Sequence, residues 1–276
     1  MKQWRKGIAK WEVGKTLYIS VPFTWNLQEA MDMSESWDKG PVKIGGPAIG
    51  EPSECEGFEP LLFHNPCATF TTRGCVNQCE FCSVPKIEPE FREIPDFRPA
   101  PVVCDNNLLA ASKVHLRRVV DKLKNFPLVD FNQGLEAAKF TPDVADLLSN
   151  LKCKVRFAFD GWYAEQAVAD AIKLCKQRTS KDISVYVLIG FKDSPEDARA
   201  RLEIVRSWGA TPNPMRYQPL DALERNAYMA PGWTDEELKK MMRYYSNLRY
   251  VGPVPYEEFN NVKPELPYHQ MVLEGI

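Results

Sequence analysis

The sequence predicts an α/β protein built on a parallel sheet. Apolar runs of β type alternate with helical patterns, most of the helical patterns have recognisable caps, and no internal repeat interrupts the alternation. Strands that alternate with helices form parallel sheets with right-handed crossovers. The expected fold is a partial (β/α)6 TIM-like barrel with a small N-terminal α/β extension.

Six short runs have the composition of strands. They occupy residues 67–72, 101–104, 128–132, 155–160, 183–191 and 214–217. Helical spacing covers residues 108–124, 141–151, 163–176, 194–209 and 234–245. Thr141, Ser194 and Thr234 stand at N-cap positions, and Gly209 stands at a C-cap position.

Three regions are expected along the chain. Residues 1–60 form the small N-terminal segment, with strands at 17–21 and 41–46 around a helix at 27–37. Residues 61–250 form the core barrel, and residues 251–276 form a C-terminal tail. The proline-rich stretch 85–101 is expected to be a loop.

The composition favours a cytoplasmic protein that does not grip nucleic acid. The chain has 276 residues, 44% of them hydrophobic, and 35 basic against 37 acidic residues give a net charge of -2. Electrostatic binding of nucleic acid usually requires a basic excess. The sequence has no apolar run of roughly 18 residues and no N-terminal signal, so no membrane association is expected.

Three of the eight cysteines form a compact motif. Cys75, Cys79 and Cys82 have the spacing Cys-x3-Cys-x2-Cys and directly follow the first predicted strand, where the chemistry of parallel α/β folds is found. Three thiolates can hold three irons of a [4Fe-4S] cluster and leave the fourth iron open. The alternatives are three unrelated thiols and a structural zinc site. Zinc usually needs four ligands, and the sequence has no second Cys-x2-Cys pair.

The motif, with Phe81 before its last cysteine, resembles the signature of the radical SAM superfamily. The resemblance covers roughly residues 61–250. It implies that the open iron chelates S-adenosyl-L-methionine. An electron from a flavodoxin- or ferredoxin-type donor would then cleave this molecule to a 5′-deoxyadenosyl radical, which abstracts hydrogen from the substrate.

The resemblance also implies three cofactor-binding segments at the strand ends. They are Asp105, Asn106 and Asn107 after the second strand, Asn132, Gln133 and Gly134 after the third, and Val187, Ile189 and Phe191 at the end of the fifth. The first segment replaces a Gly-Gly-Glu-like motif that receives the methionine amino group. The second would contact the ribose or the methionine carboxylate. The third would lie along the adenine, and an ordinary buried strand is the alternative for it.

Strand periodicity predicts that several polar side chains face the barrel interior. They are Asp105, Asn107, Asn132, Arg156, Asp160, Arg216 and Gln218. Buried polar groups need partners, so these side chains meet a ligand or one another. An internal ion pair of Arg156 with Asp160 is one such alternative. Asp160, Tyr186 and Arg216 are the candidate catalytic residues, and Asp160 is also a candidate cofactor contact.

The substrate is expected to be small. Aromatic residues near the strand ends could stack a flat ring such as a modified nucleobase, as in queuine lyase of this superfamily. The basic residues of the helix at 108–124 are the only support for the alternative of a tRNA or peptide substrate.

The N-terminal segment resembles a shortened cobalamin-binding domain. It lacks the Asp-x-His-x-x-Gly motif that ligates cobalt, so no cobalamin is expected. Cys55, His64 and Cys67 lie upstream of the motif and could add a hydrogen donor on the substrate side, with free buried thiols as the alternative for the two cysteines.

Overall fold

The computed structural model describes residues 4–50, 59–179, 182–247 and 253–259. The strands are β1 (Ala9–Val13), β2 (Thr16–Ser20), β3 (Val42–Gly45), β4 (Ala68–Thr69), β5 (Thr72–Arg73), β6 (Arg92–Glu93), β7 (Val102–Val103), β8 (Val129–Phe131), β9 (Cys153–Ala158), β10 (Ile183–Ile189) and β11 (Thr211–Arg216). The α-helices are α1 (Leu27–Glu35), α2 (Pro60–His64), α3 (Val84–Ile87), α4 (Lys113–Leu123), α5 (Pro142–Leu148), α6 (Glu165–Arg178), α7 (Pro195–Ser207) and α8 (Asp235–Tyr245).

A six-stranded parallel sheet forms the centre of the fold. Its strand order is β4-β7-β8-β9-β10-β11, so neighbours in space follow one another along the chain. The helices α4, α5, α6 and α7 each connect one strand to the next. The predicted α/β class with six parallel strands is confirmed. All the carboxyl ends of these strands therefore meet at one edge of the sheet.

Local capping sets the starts of the helices. The Thr141 hydroxyl accepts a hydrogen bond from Val144 N, and Thr234 forms a capping box with Glu237. Ser194 caps α7 in the same way. These three predicted caps are confirmed, and their hydroxyls satisfy amides that the first turn of a helix leaves free.

The main hydrophobic core lies between the sheet and its helices. On β9 the side chains alternate, and Val155 and Phe157 are fully buried against the helices. On β10 the last three residues are all buried, as expected for a parallel strand covered on both faces.

The N-terminal segment forms a separate small sheet with its own core. β2 and β3 are parallel and are joined through α1, in agreement with the prediction, and Leu17, Ile19 and Ala30 pack between them. β1 pairs antiparallel with β2 and was not predicted. Its residues are mostly exposed, so its sequence lacks the apolar run that marks a buried strand.

The connection from the first to the second strand of the main sheet differs from the prediction. A continuous strand over residues 67–72 is wrong, because β4 ends after two residues and β5 pairs antiparallel with β6, on the far side of the cysteine loop. The Asp105 carboxylate holds the chain at this break. It accepts hydrogen bonds from Thr71 N (2.5 Å), Thr72 N (2.9 Å) and the Thr71 hydroxyl. The proline-rich stretch is also more than a loop, since it contains α3 and β6.

Within the part of the chain that the structure describes, none of the helices combines the length and apolar character needed to cross a membrane. The predicted site residue Cys55 lies outside the described residues, as does most of the predicted C-terminal tail.

Replacement of Asp105 tests its role in shaping this connection. Asp105→Ala leaves two buried amides without an acceptor, so we expect it to lower the free energy of unfolding by about 3 kcal/mol. Asp105→Asn keeps an oxygen for both amides and an NH2 group for the Thr71 hydroxyl, so we expect a loss below about 1 kcal/mol at pH 5. Chemical denaturation followed by circular dichroism measures both. Equal losses in the two variants would contradict the assignment.

The same carboxylate predicts a pH dependence of stability. Burial raises the pKa of Asp105 to about 6, against the opposing effect of the donors on Thr71 and Thr72. Because the folded state holds the proton more tightly than the unfolded state, the contribution of Asp105 to the unfolding free energy falls as the pH rises from about 4 to about 6. The stability of Asp105→Asn relative to the wild type should therefore increase over this range by about 2 kcal/mol. A difference that is constant with pH would show that Asp105 is already ionised at pH 4.

Candidate functional site

The three motif cysteines lie on the loop that leaves β5. All three side chains are partly exposed. The amide of Asn77 lies 3.4 Å from Cys75 Sγ, and the amide of Val84 lies 3.5 Å from Cys82 Sγ. The loop turns back on itself through a hydrogen bond from Cys82 N to Cys79 O of 3.0 Å. Backbone donors directed at sulfur stabilise thiolates, the form in which cysteine binds metal.

The thiols lie within one another's electrostatic field. Burial raises the pKa of Cys79, and Cys82, Asp160, Cys75 and Glu136 raise it further. Burial also raises the pKa of Cys82, and the Val84 amide opposes this shift. Among the described residues, no three histidine, cysteine or acidic side chains are gathered as a ready site for a single metal ion.

Asn107 connects the strand after the loop to the cysteines. Its side chain is buried, and Nδ2 donates to Glu136 Oε2 at 2.7 Å and to Cys75 Sγ at 3.4 Å. Asn107 Oδ1 is buried and has no hydrogen-bond partner within the described ranges. An unpaired buried acceptor costs about 1–3 kcal/mol, and a donor from a bound ligand would remove that cost.

The other two residues of this predicted segment have protein partners. Both oxygens of Asp105 accept hydrogen bonds from Thr71 and Thr72, so a ligand amino group would have to share them. Asn106 Nδ2 lies 3.3 Å from Glu88 Oε2. Of the predicted segment, Asn107 alone has a buried side-chain atom that lacks a partner among the described residues.

Glu88 braces the outside of the loop, and the sequence analysis missed it. Its carboxylate pairs with Arg73 and accepts a hydrogen bond from Gly74 N at 3.2 Å. Glu88 stands in the proline-rich stretch, where no periodicity distinguishes a bracing residue from a solvated one. The residues before Cys75 are therefore held from two sides, by Asp105 and by Glu88.

The larger cavity of the site, of about 420 Å³, opens beside Cys79 at the carboxyl ends of β9 and β10. Its lining includes Cys79, Glu80 and Phe81 from the loop, Asp160, Gly161, Trp162 and Tyr163 after β9, Leu188, Phe191, Lys192 and Asp193 at the end of β10, and Asp197 and Arg201 from α7. We call this space the inner cavity. Its volume is in the range of small-molecule sites.

The face of β10 that lines the inner cavity is not the predicted one. Leu188 lines it, whereas Val187 and Ile189 are fully buried in the main core. Side chains alternate along a strand, so these two neighbours of Leu188 point to the opposite face. Phe191 does line the cavity, and its ring meets that of Phe81 edge-on at 5.9 Å between centroids.

Among the acidic side chains that line the inner cavity, Asp160 is the best candidate for a contact with a ligand. Burial raises its pKa to about 6, and the nearby Arg201 opposes this shift. The carboxylate of Asp160 lines the inner cavity and accepts no hydrogen bond from the described residues. The guanidinium of Arg201 is 2% exposed and donates to Phe159 O at 3.0 Å, so it is part of the wall rather than free to move.

Asp193 fixes the loop after β10. It pairs with Arg201 and accepts hydrogen bonds from Gly190 N (3.0 Å), Phe191 N (3.2 Å) and Trp233 Nε1 (3.2 Å). These contacts hold the Phe191 ring at the cavity. The sequence analysis missed both charged residues, although Arg201 was detectable as a cation on the apolar stripe of α7.

The alternative of an ion pair between Arg156 and Asp160 is wrong. Arg156 pairs with Asp130 on the neighbouring strand, with Nη2 3.2 Å from Asp130 Oδ2. The pair forms across the register of β8 and β9, which the sequence pattern does not specify. It leaves Asp160 available to the inner cavity.

The structure brings Tyr186 and the predicted segment after β8 together. Tyr186 Oη donates to Asn132 O at 2.7 Å, and the ring lies against Gly134, whose φ is 94°. Burial raises the pKa of Tyr186, so its hydroxyl stays protonated at neutral pH. Gln133 is exposed.

Arg216 braces the segment after β11. Its guanidinium donates to Asp235 Oδ1 (2.8 Å), Tyr228 O (3.0 Å) and Asn226 O. It does not line the inner cavity. Gln218, also predicted to face the interior, bonds to Asn226 instead. These contacts favour a structural role for both side chains.

The upstream candidates lie away from the inner cavity. His64 Nδ1 is 3.1 Å from Arg5 O, at the N-terminal end of the described chain. Cys67 packs with Ala68 and Cys104 in a small apolar cluster beside β4.

No protein-family model matches this chain, and comparison with curated proteins and with solved structures also finds no match.

Proposed function

We propose that this chain is a radical SAM enzyme that binds a [4Fe-4S] cluster through Cys75, Cys79 and Cys82 and acts on a small planar substrate. One observation carries the proposal. The three-cysteine loop stands at the carboxyl edge of a parallel sheet, beside a cavity of small-molecule size and beside the orphaned acceptor of Asn107.

The strand order supports a partial barrel. Sequential order combined with right-handed crossovers puts the connecting helices on one face of the sheet. The opposite face is then covered only if the sheet curls. The contacts of Arg156 with Asp130 and of Tyr186 with Asn132 would lie inside that curve.

The residues present fit the cofactors. When bound, a cluster with one open iron would transfer an electron from the donor protein to S-adenosyl-L-methionine, which would be cleaved to methionine and a 5′-deoxyadenosyl radical. The amides of Asn77 and Val84 would stabilise the ligating thiolates, and the unpaired Asn107 Oδ1 would accept a hydrogen bond from the methionine amino group.

The inner cavity suits the nucleoside part of the same cofactor. The Asp160 carboxylate has the acceptor oxygens that a ribose hydroxyl requires, and the rings of Phe81 and Phe191 exclude water from the wall. The chain's own work is to position the reactants and shield them from solvent. A flavodoxin- or ferredoxin-type protein would supply the electron.

Anaerobic reconstitution tests the proposal. The wild type, incubated with iron and sulfide and then reduced in the presence of S-adenosyl-L-methionine, should bind iron and sulfide and release 5′-deoxyadenosine, measured by chromatography. Cys75→Ala should lose both properties. Cys67→Ala is the matched control, because Cys67 is a partly exposed cysteine outside the loop, and it should retain both.

The outcome separates the alternatives. Stoichiometric zinc without sulfide would replace the proposal by a zinc-binding module. A loaded, reduced cluster whose EPR signal does not change on addition of S-adenosyl-L-methionine would also contradict it.

Gly74 provides a second test, because it sets the direction of the loop. Its φ is 71°, and an added Cβ would lie 2.1 Å from Glu90 O. Gly74→Ala therefore forces the start of the loop away from the backbone at Glu90, and we expect it to lose most of its iron. Gly14→Ala is the control, since its φ is 60° but the space around it is open. Equal iron content in the two variants would show that the loop does not need this turn.

A further inference from the structure

A second cavity, of about 230 Å³, lies on the other side of Phe81 from the inner cavity. We call it the outer cavity. Glu80 and Phe81 line both cavities, so the cysteine loop is the wall between them. At about 30 Å³ per water molecule, the outer cavity holds roughly eight waters, about the size of one substituted aromatic ring.

The outer cavity lies between the two edges of the main sheet. The cysteine loop follows the connection from β4, and residues 217–220 follow β11. β4 and β11 are the two edge strands, and the N-terminal unit covers the space between their exits with Pro22, Phe23, Thr24 and Trp25. Thr24 Oγ1 donates to Ala222 O and to Leu220 O (3.3 Å), which fixes the N-terminal unit to the segment after β11.

The lining is suited to a flat ring. Trp25 is stacked on Phe23, with 4.5 Å between centroids and 10° between the planes. Phe81 and Tyr217 also line the cavity, and both rings contact Phe191. Planar ligands stack on aromatic faces with small loss of conformational entropy.

The lining contains one acidic and one basic side chain, Glu80 and Lys86. Glu80 is paired with Lys192 at 2.5 Å between Oε1 and Nζ, so its charge is balanced. Lys86 lines the cavity and forms no ion pair with any residue in the described ranges. The Ser83 hydroxyl stands beside it in the lining. An ammonium group and a hydroxyl group together favour the binding of a ligand with a carboxylate or a phosphate.

We propose that the outer cavity binds a second ligand, a planar heteroaromatic ring with a negatively charged substituent, and that the N-terminal unit supplies its stacking wall. This proposal goes beyond the proposed function, because the wall that contains Phe81 keeps this ligand out of direct contact with a cofactor in the inner cavity. It also gives the N-terminal unit a role that does not involve cobalamin.

Ligand-observed NMR on the anaerobic, cluster-loaded protein tests the proposal with three probes. Nicotinate has the planar ring and the charge, nicotinamide lacks the charge, and cyclohexanecarboxylate lacks the planar ring. Nicotinate should bind most tightly of the three. Trp25→Leu and Lys86→Met should each raise its Kd by about fivefold or more, since a stacking or charge contact is lost.

Matched variants control for general effects. Trp11→Leu and Lys43→Met change the same residue types in the N-terminal unit, outside the outer cavity, and should leave the Kd unchanged. Lys86 is exposed, so its replacement tests the charge without a risk to folding. Equal binding of the three probes, no binding of nicotinate, or an unchanged Kd in Trp25→Leu and Lys86→Met would each overturn the proposal.

The cofactor reaction on the same samples separates the two proposals. Cleavage of S-adenosyl-L-methionine by a protein that does not bind nicotinate overturns the second ligand site and leaves the radical chemistry intact. The opposite outcome is a protein whose loaded cluster does not respond to S-adenosyl-L-methionine but which binds nicotinate in a manner that depends on Trp25. This outcome overturns the proposed function and leaves a binding site for an aromatic acid.

Discussion

The buried carboxylate of Asp105 is the interaction on which the arrangement of the site depends. It stands at the end of β7 and accepts from the backbone and the hydroxyl of the chain that leaves β4. In the other connections of the main sheet a full helix packs against the strands, but this one contains only the single turn of α3. Polar contacts therefore replace apolar packing at the point where the cysteines begin. Such contacts are directional, and they place a loop more narrowly than a hydrophobic surface does.

Glu88 complements Asp105 from the solvent side. Its hydrogen bonds to Gly74 N and Arg73 Nε (3.0 Å) hold the backbone just before Cys75. The two carboxylates have different surroundings, one buried and one partly open to water, yet they act on consecutive residues. The direction in which the loop leaves the sheet is thus determined before the first cysteine.

The elements that the sequence predicted correctly are those with a local physical cause. Helix caps, apolar stripes and the alternation of strand and helix involve residues close in the chain, so the main sheet and the helices α4 to α8 were predictable. β1 pairs with the adjacent β2, but its mostly exposed residues carry no apolar pattern, and the β5–β6 pair joins residues on either side of the cysteine loop. The face of β10 was also not predictable, because a strand that is apolar on both sides has no period to show that Leu188 and not Val187 lines the cavity. The same limit applies to Arg156, whose partner Asp130 is set by strand register.

The motif cysteines and Asn107 were found from spacing and resemblance, whereas Glu88 and Glu136 stand in loops without pattern.

Phe81 belongs to the walls of both cavities, and this shared position has a thermodynamic consequence. A ligand in one cavity that favours one orientation of the ring changes the binding free energy of any ligand that contacts the ring from the other cavity. Linkage makes this effect reciprocal, so the factor by which the first ligand alters the affinity for the second equals the factor by which the second alters the affinity for the first. A single aromatic side chain between two cavities is therefore enough to make their occupancy interdependent, without any movement of the sheet that carries them.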